Sequence, residues 1–397
     1  MTDFFEPAGR GVQHASMRAA NRRAVLTTIT FNPGISNADV SRRTGLAPQT
    51  ASAIVTELEN EGLISRGEVL RGRRGQPATP LFLDYDAACS IGCEISWRHI
   101  DIVLIDLGSR EIGRYRRDYA HPDPGTIIAE AASAIGDLLG RLDSAQRDRL
   151  IGIGLASPNN VGRSADETVS HRDDLEAWLK LDLRAALEAA TGISTHWYND
   201  GNAACWAELA MHAAPRPSNF AYLFLGTFLG AGIIAEHTLW QGPNGNSANL
   251  GAMLVSGETG TRRFGHQIAS LTALVQRLDA AGIAVPTGNP LDWPWADWEP
   301  HLSAWLQQAG RALAEIIVNV AAVIEFEQVI IDGAVPPVLV ARLVEETRAG
   351  MQQLPAASTP RPVLSAGTLG SRAVPLGAAQ LPMFRKLFSR QLSDMLG

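Results

Sequence analysis

One arrangement of strands and helices occurs twice after residue 86, and this repetition constrains the fold more than any other feature of the sequence. The first occurrence runs from the strand-like CSIGCEISW through RLIGIGLAS, a helix ended by Gly192, STHWYND and the helix GNAACWAELAMHA. The second runs from the strands NFAYLFLG and GAGIIAEHTLW through the long helix SAWLQQAGRALAEIIVNVAAVIEF to QVIIDGAV. Two such halves predict a duplicated α/β fold with a cleft between two lobes.

The composition sets the class of protein. The 397 residues are 46% hydrophobic and 19% charged, which is typical of a globular chain of two or three domains. No apolar run approaches the ~20 residues of a membrane span, and MTDFFEPAGR lacks the pattern of a signal peptide. We therefore expect a cytoplasmic protein without a membrane partner. Cys89, Cys93 and Cys205 are too few and too badly spaced for a disulfide framework or a zinc cage.

The charge is unevenly distributed along the chain. Residues 1–80 contain ten arginines and seven acidic residues, which gives +3 and leaves −10 for the rest of a chain whose net charge is −7. A basic head on an acidic body predicts that the head alone meets a polyanion, although chance asymmetry explains the difference equally well.

The head contains the signals of a helix-turn-helix. Ser36 and Asp39 form a capping box, Gly45 supplies a turn, and Pro48 suits the first position of a second helix that runs to about Asn60. These residues predict two short helices joined by a tight turn. The apolar positions expected to be buried are Val25, Leu26, Ile29, Val40, Ile54, Val55 and Leu58.

The second helix and the hairpin after it carry the predicted DNA contacts. In this motif the second helix enters the major groove, so Gln49, Thr50 and Ser52 are expected to reach base edges or phosphates. The hairpin has the basic tip RGRRGQP, whose Arg71, Arg73 and Arg74 suit phosphates or the minor groove. The sequence thus predicts a winged helix-turn-helix DNA-binding domain over 1–80. A helical protein-interaction module with a solvated arginine loop is the alternative.

Nearly the whole chain resembles the ROK family (repressors, open reading frames and sugar kinases), specifically its winged-helix repressors of sugar metabolism. The head resembles theirs through TGLAPQTASAIVTELENEGLI and GRRGQPA, and the body through GCEISWRHIDIVLIDL, YNDGNAACWAE, FLGTFLGAGII and IIDGAV. The resemblance implies an α/β protein, a winged helix-turn-helix followed by a two-lobed actin-like domain of the ribonuclease H-like, sugar-kinase type. We expect the first lobe over 86–212, rejoined by about 373–397, and the second lobe over 218–372.

The sequence departs from the kinase relatives at the glycine-rich phosphate loops. Glu94-Ile95-Ser96-Trp97 places a tryptophan in the first loop, Phe228 replaces a glycine in the second, and Asp332-Gly333-Ala334 has lost a glycine of the adenosine stretch. Each change adds side-chain bulk where a nucleotide must approach. We therefore predict no ATP cofactor, no catalytic residue and no enzymatic activity. A phosphate site that tolerates one phenylalanine is the alternative.

The zinc ligands of the family are also missing. The family holds zinc with a histidine and three cysteines, whereas Asn249-Leu250-Gly251-Ala252 and the following GETGTRRFGHQIAS contain no cysteine. Zinc needs about four nitrogen or sulfur ligands. We predict no structural metal.

The resemblance leaves the sugar cleft in place. Asp200 matches the aspartate that accepts the hydroxyl proton in the kinases, and without phosphate loops it suits sugar binding instead. Asn199 matches a neighbouring binding residue, and Asp174, ahead of Trp178, stands near a family asparagine that contacts sugar. Asn249 stands where the family has a sugar-binding glutamate, and His266 where it has a further binding residue. As alternatives, Asn199 and Asp200 only cap the following helix, and Asn249 only lies in a polar loop.

Four tryptophans are also spaced so that they could offer a flat face to a sugar. We expect all but one of Trp178, Trp197, Trp206 and Trp240 to lie in the core.

These observations together predict a sugar-responsive transcription factor, a repressor, that binds double-stranded operator DNA as a homodimer or a dimer of dimers. A dimer would place two winged helices on half-sites roughly 34 Å apart. The first alternative is a sugar kinase with a DNA-binding head. The second is a repressor without a small effector, whose cleft is vestigial or serves a protein partner.

Overall fold

The computed structural model describes residues 14–68, 79–120, 123–159, 178, 180–213, 215–257, 260–355 and 360–388. The chain forms two compact units: one contains the residues up to Ala87 together with those from Phe384 onward, and the other is Ala88–Met383.

The first unit contains the predicted helix-turn-helix. Its helices are α1 (His14–Phe31), α2 (Asn37–Thr44) and α3 (Pro48–Asn60). The Ser36 side chain accepts a hydrogen bond from the Asp39 amide at the start of α2, and Gly45 ends that helix at a φ of 67°. The Ser36 cap and the Gly45 turn act as the sequence predicted, because a side-chain oxygen satisfies a free amide and glycine adopts this turn without strain. Of the predicted capping box only this half forms, since the Asp39 carboxylate accepts the Ser36 hydroxyl at 2.6 Å.

The core of the first unit lies between the three helices and a short hairpin. Strands β1 (Ile64–Arg66) and β2 (Leu81–Leu83) pair antiparallel, and Leu81 also bridges to Ile35. The seven apolar residues predicted to be buried are all buried. The rings of Phe31 and Phe384 lie 6.4 Å apart in the same unit.

The second unit begins with a five-stranded sheet in the order β5-β4-β3-β6-β7. Its strands are β3 (Cys89–Ile95), β4 (His99–Asp106), β5 (Glu111–Asp118), β6 (Leu150–Ser157) and β7 (Thr195–Asn199). The first three strands pair antiparallel, and β6 and β7 join in parallel. The helices that follow these strands in sequence are α4 (Pro124–Leu139), α5 (Ser144–Asp148), α6 (Leu183–Thr191) and α7 (Asp200–Met211).

A second five-stranded sheet repeats this topology, in the order β10-β9-β8-β13-β14. Its strands are β8 (Phe220–Leu225), β9 (Leu229–Ala235), β10 (Thr238–Leu239), β13 (Gln328–Gly333) and β14 (Val363–Ala366). Again three antiparallel strands are followed by two parallel ones. A small hairpin pairs β11 (Leu254–Ser256) with β12 (Arg262–Phe264), and the helices are α8 (Leu271–Ala280), α9 (His301–Ala321) and α10 (Pro337–Gln353). The matching topologies confirm the duplication predicted from the sequence.

The last helix, α11 (Ala373–Leu387), packs on the first-lobe sheet at glycines. A Cβ added at Gly92 would lie 1.9 Å from the Pro375 carbonyl oxygen, and one at Gly154 would lie 1.8 Å from that of Ala378. The helix therefore approaches the sheet closely only because these strand positions lack side chains. Residues Ala373–Met383 belong to the second unit, whereas Phe384 and Phe388 belong to the first.

Candidate functional site

The residues of α3 that are predicted to contact DNA are exposed. Ala51, Ile54, Val55 and Leu58 face the core, which turns Gln49, Thr50 and Ser52 outward. The Asn37 side-chain amide donates to Ser52 Oγ over 3.2 Å, which ties this hydroxyl to α2. Arg71, Arg73 and Arg74 lie outside the described residues.

Three arginines of the head form ion pairs at the far end of α3. Arg18 pairs with Glu57 over 2.8 Å, Arg66 with Glu59 over 2.8 Å, and Arg22 with Glu61. The hydrogen bond from Arg18 holds the pKa of the half-buried Glu57 below its usual value. The three glutamates are already counted in the net charge of +3, so the excess positive charge of the head lies on the arginines outside these pairs.

A cavity of about 680 Å³ lies in the second unit. Asn199, Asp200, Asn249 and His266 all line it, so the fold gathers four of the five predicted sugar-binding residues at one space. The fifth, Asp174, lies outside the described residues.

Asp200 is the first residue of α7 and faces the cavity with its carboxylate held in place. Its Oδ1 accepts hydrogen bonds from the Gly201 amide at 2.8 Å and from the Asn199 side chain at 3.0 Å. Burial raises the pKa of Asp200 to about 6, while the Gly201 bond lowers it and the charge of Glu94 raises it further. At neutral pH the group is mostly a carboxylate that accepts hydrogen bonds.

Asn199 has a structural role at the same position. Its side-chain oxygen caps α7 by accepting the Asn202 amide hydrogen bond at 3.1 Å. Its amide nitrogen bonds Asp200 and, at 3.3 Å, the Asn159 side-chain oxygen. The capping alternative is therefore present for Asn199, and the same side chain also orients Asp200.

His266 and Asn249 lie on the second-lobe side of the cavity. The His266 Nδ1 lies 3.0 Å from the Gly251 carbonyl, so we assign the proton to this nitrogen, which leaves Nε2 as an acceptor. Its ring stacks on Phe264 at 5.6 Å and meets Phe228 edge-on at 5.8 Å. Asn249 is exposed and precedes a short 3₁₀ turn, which it does not cap with its side chain.

The two residues that interrupt the predicted phosphate loops contact each other. The Trp97 and Phe228 rings pack edge to face with centroids 5.9 Å apart, and Trp97 is buried. Within the second loop, the Gly226 amide donates to the Phe228 carbonyl oxygen at 3.1 Å. This amide is therefore engaged within the loop.

The profile of the ROK family matches residues 90–383. The chain belongs to the ROK family. A second profile, of winged helix-turn-helix DNA-binding domains, matches residues 18–65.

Similar proteins cover both parts of the chain. The uncharacterized protein y4fQ of Sinorhizobium fredii is 25% identical over 377 residues, which cover 94% of this chain and 93% of that protein. The xylose repressor of Bacillus spizizenii is 26% identical over 244 residues, which cover 60% of this chain and 61% of the repressor. The match thus spans about three fifths of the repressor's length.

Solved structures establish the same fold. A ROK family transcriptional regulator, described as a homolog of the Escherichia coli MLC protein, has a TM-score of 0.68 at 21% identity and covers 96% of this chain and 98% of that chain. Solved ROK sugar kinases share the fold of the actin-like part.

The ROK cavity also contains residues that the sequence analysis did not assign to ligand binding. Glu94 is buried, and its Oε1 lies 3.2 Å from Nε2 of His99. Both residues line the cavity, as does Trp293. Glu94 belongs to the altered phosphate loop, where the sequence predicted only a loss of space for phosphate and no ligand contact for its carboxylate. His99 and Trp293 carry no local sequence signal.

The four tryptophans considered from the sequence lie outside the cavity lining. Trp178 and Trp206 are buried, and Trp197 donates through Nε1 to Ser157 Oγ at 2.8 Å. Trp240 is 48% exposed and is not part of the core. The tryptophans of the described cavity lining are Trp97 and Trp293 instead.

Across the described ranges, no group of three or more His, Cys, Asp or Glu side chains is arranged to hold a metal ion. Over the same ranges, no helix combines the length and apolar character needed to cross a bilayer.

Proposed function

We propose that this ROK protein is a DNA-binding transcriptional repressor of sugar metabolism genes, whose operator binding is controlled by a sugar or sugar derivative in the cavity. The observation that carries the proposal is the combination in one chain of an exposed α3 surface and a ROK cavity lined by Asn199, Asp200 and His266. The first part suits operator recognition, and the second suits a polyhydroxylated ligand.

The geometry of Asp200 favours binding over catalysis. Its carboxylate can accept two hydroxyl hydrogen bonds, and Asn199 fixes its orientation. Phosphoryl transfer would also require bare backbone amides for the phosphates. The contact of Trp97 with Phe228 and the Gly226 hydrogen bond oppose this use of the loops.

The DNA side follows from the exposed residues of α3. Gln49 and Thr50 are assigned to base edges, Ser52 to bases or phosphates, and the wing arginines to phosphates or the minor groove. A homodimer, or a dimer of dimers, would present two such heads to an operator in the cytoplasm. The ligand would act by binding one arrangement of the lobes more tightly than another.

The test has a DNA arm and a ligand arm. Full-length protein is used to select duplexes from a random pool, and the selected sites are measured by fluorescence anisotropy with and without a panel of sugars. The expected result is a sequence-specific complex that at least one sugar weakens. Multi-angle light scattering gives the number of chains in the complex.

The outcomes separate this function from its alternatives. Specific DNA binding that no sugar alters would favour a repressor without a small effector. Sugar-stimulated hydrolysis of Mg-ATP in a coupled assay would show a kinase and contradict the binding-only assignment of Asp200. Failure to select any sequence would contradict the repressor itself.

A further inference from the structure

The size and the lining of the cavity also indicate the chemical class of its ligand. We infer that its ligand is a glycoside, with the sugar ring at the Asp200 end and an apolar substituent on the ring lying against α8 and the segment 285–293. This inference rests on the proposed function and specifies the class of effector.

The size of the cavity exceeds the needs of one sugar ring. At about 680 Å³ it lies within the ~300–1,000 Å³ of pockets that enclose drug-sized ligands. At ~30 Å³ per water, it holds on the order of 20 waters. A hexose has only about 12 non-hydrogen atoms, so much of the space would stay filled with water.

The charged groups of the lining lie on one part of it. Glu94, Arg98, His99, Arg116 and Asp118 come from the first-lobe strands and their connections. Tyr119, Asp200 and His266 complete the charged or titratable groups of the described lining. These groups offer donors and acceptors for the hydroxyls of a sugar. Among them, Glu94 lies near enough to Asp200 for its charge to act on the Asp200 carboxylate.

The wall of the cavity formed by α8 and the segment 285–293 is uncharged and mostly apolar. Between Leu271 and Trp293 the lining contains no charged residue. Leu271 and Val275 lie four residues apart on one face of α8, and Val285, Pro290 and Trp293 follow. Of the polar side chains here, Thr272 donates its hydroxyl to the Thr227 carbonyl at 2.7 Å, and Gln276 and Thr287 remain for a ligand.

This apolar wall is rigidly supported. Leu271 belongs to the buried core of the second lobe, and Val285 and Trp293 pack against that core. The Trp293 ring lies 5.5 Å from Trp295 and 5.6 Å from Trp298. The Leu271 amide also bonds the Gly226 carbonyl at 3.0 Å, which fixes α8 against the loop that carries Phe228. A second sugar ring would leave most of its hydroxyls unpaired on this wall, whereas an alkyl or aryl group would lose only water contacts.

The experiment compares methyl and phenyl glycosides of the same sugar. Isothermal titration of the full-length protein measures both members of each pair for glucose, xylose, galactose and N-acetylglucosamine. We expect the phenyl member to bind about ten- to hundredfold more tightly for at least one sugar, because burial of one ring removes apolar surface from water.

Variants test where the phenyl group lies. Val275→Phe fills the apolar end, so the ratio of phenyl to methyl affinity should fall to near one. Ala280→Phe introduces the same side chain at an exposed position of α8 outside the cavity lining, and it should keep the ratio of the parent protein. Should Val275→Phe melt at a much lower temperature, Val275→Thr replaces it; its hydroxyl opposes an apolar ligand at nearly the same shape, and the ratio should still fall.

Four results would overturn the inference. Equal affinity for methyl and phenyl glycosides would leave the sugar-responsive function standing but remove the apolar subsite. A phenyl preference that Val275→Phe and Val275→Thr both preserve would place the apolar group elsewhere. Displacement of the phenyl glycoside by Mg-ATP, with loss of ATP binding in Val275→Phe, would assign this end to a nucleotide. If no member of the panel binds, the sugar effector of the proposed function fails as well.

Discussion

Asp200 should make ligand binding depend on pH. Its pKa is raised to about 6, so the carboxylate is protonated below this value and loses an acceptor for sugar hydroxyls. The affinity for an uncharged sugar should therefore rise between pH 5 and 7 and level off above. Asp200→Asn should flatten this dependence and lower the affinity at pH 7 about ten- to thirtyfold, because charged hydrogen bonds are stronger than neutral ones.

Isothermal titration across this range measures both effects, and DNA affinity without sugar serves as the control. Because Asn199 caps α7 with its own side chain, the substitution at Asp200 should leave the helix intact. An unfolded variant would show that Asp200 is structural, and an unaltered sugar response would place the effector elsewhere.

Glu208 should make stability depend on pH in the opposite direction from an ordinary ion pair. It is buried, and burial together with the charge of Asp332 raises its pKa to about 7. Asp332 accepts hydrogen bonds from Tyr222 at 3.0 Å, Gly333 at 2.8 Å and Gly370 at 2.9 Å, whereas Oε2 of Glu208 is buried and has no hydrogen-bond partner among the described residues. The protonated form of Glu208 is therefore the one that suits the fold.

The contribution of Glu208 to stability is fully present below about pH 4.5 and is lost as the pH rises through about 7. Glu208→Gln keeps the shape without a charge, so it should raise the melting temperature at pH 8 by a few degrees and leave it nearly unchanged at pH 5. Differential scanning fluorimetry from pH 5 to 8 measures this, with the parent protein as reference. Parallel pH profiles of the two proteins would contradict the assignment.

At the scale of elements, the packing of α11 on the first-lobe sheet depends on glycine. Gly154→Ala would place a methyl group 1.8 Å from the Ala378 carbonyl oxygen, so the helix must shift and the free energy of unfolding should fall by ~1–3 kcal/mol. Gly136 in α4 is the matched control, since a Cβ there meets nothing within 4 Å and alanine favours the helix by ~0.5–1 kcal/mol. Urea unfolding should show opposite signs for the two variants, and equal effects would argue against close packing at Gly154.

Helix α3 and the wing should contribute differently to DNA binding. Gln49→Ala removes a base contact, so it should cost ~1–3 kcal/mol on the operator and relax the choice at one base pair. Arg73→Ala should weaken binding to all sequences and lower the salt dependence by about one unit of slope. Anisotropy titrations on operator and random DNA at several salt concentrations distinguish the two. Identical behaviour of the variants would refute this division of roles.

At the scale of the whole molecule, the affinity of a dimeric repressor for its operator should depend on the spacing of the two half-sites. Two winged helices reach half-sites centred about 34–36 Å apart on one face of DNA. Inserting 5 base pairs between half-sites should abolish tight binding by rotating one half-site to the opposite face, and inserting 10 should restore part of it. Gel shifts on the three operators measure this. Equal affinity for all three would indicate independent heads.

Most helices and strands that carry a capping residue, a turn residue or an apolar run could be predicted from the sequence. Ser36 and Gly192 set helix ends through backbone hydrogen bonds and a left-handed turn, and both act so in the structure. The apolar runs predicted most strands of the two sheets, whereas the four-residue strand β14 was not predicted. Helices α4, α5, α8 and α10 were not predicted from the sequence, although Asp123, Asp143 and Ser270 cap the first three with their side chains. Attention to these caps would have found them.

The candidate site was predicted only in part, because lining a cavity leaves no local pattern. Asn199 and Asp200 were found through their resemblance to family residues. Glu94 and Trp293 were missed, since only the folded chain shows that they border the same space as Asp200.

The sequence by itself determined the order of the elements, the duplicated halves and the capped helices, because each depends on hydrogen bonds and side-chain periodicity within a few residues. The tertiary structure alone decided which distant side chains meet. Trp97 packs on Phe228, Glu208 lies near Asp332, and the glutamates at the end of α3 neutralise the arginines of α1 and β1. Such contacts arise from the packing of whole sheets and helices, and the energy of each depends on burial that no short segment specifies.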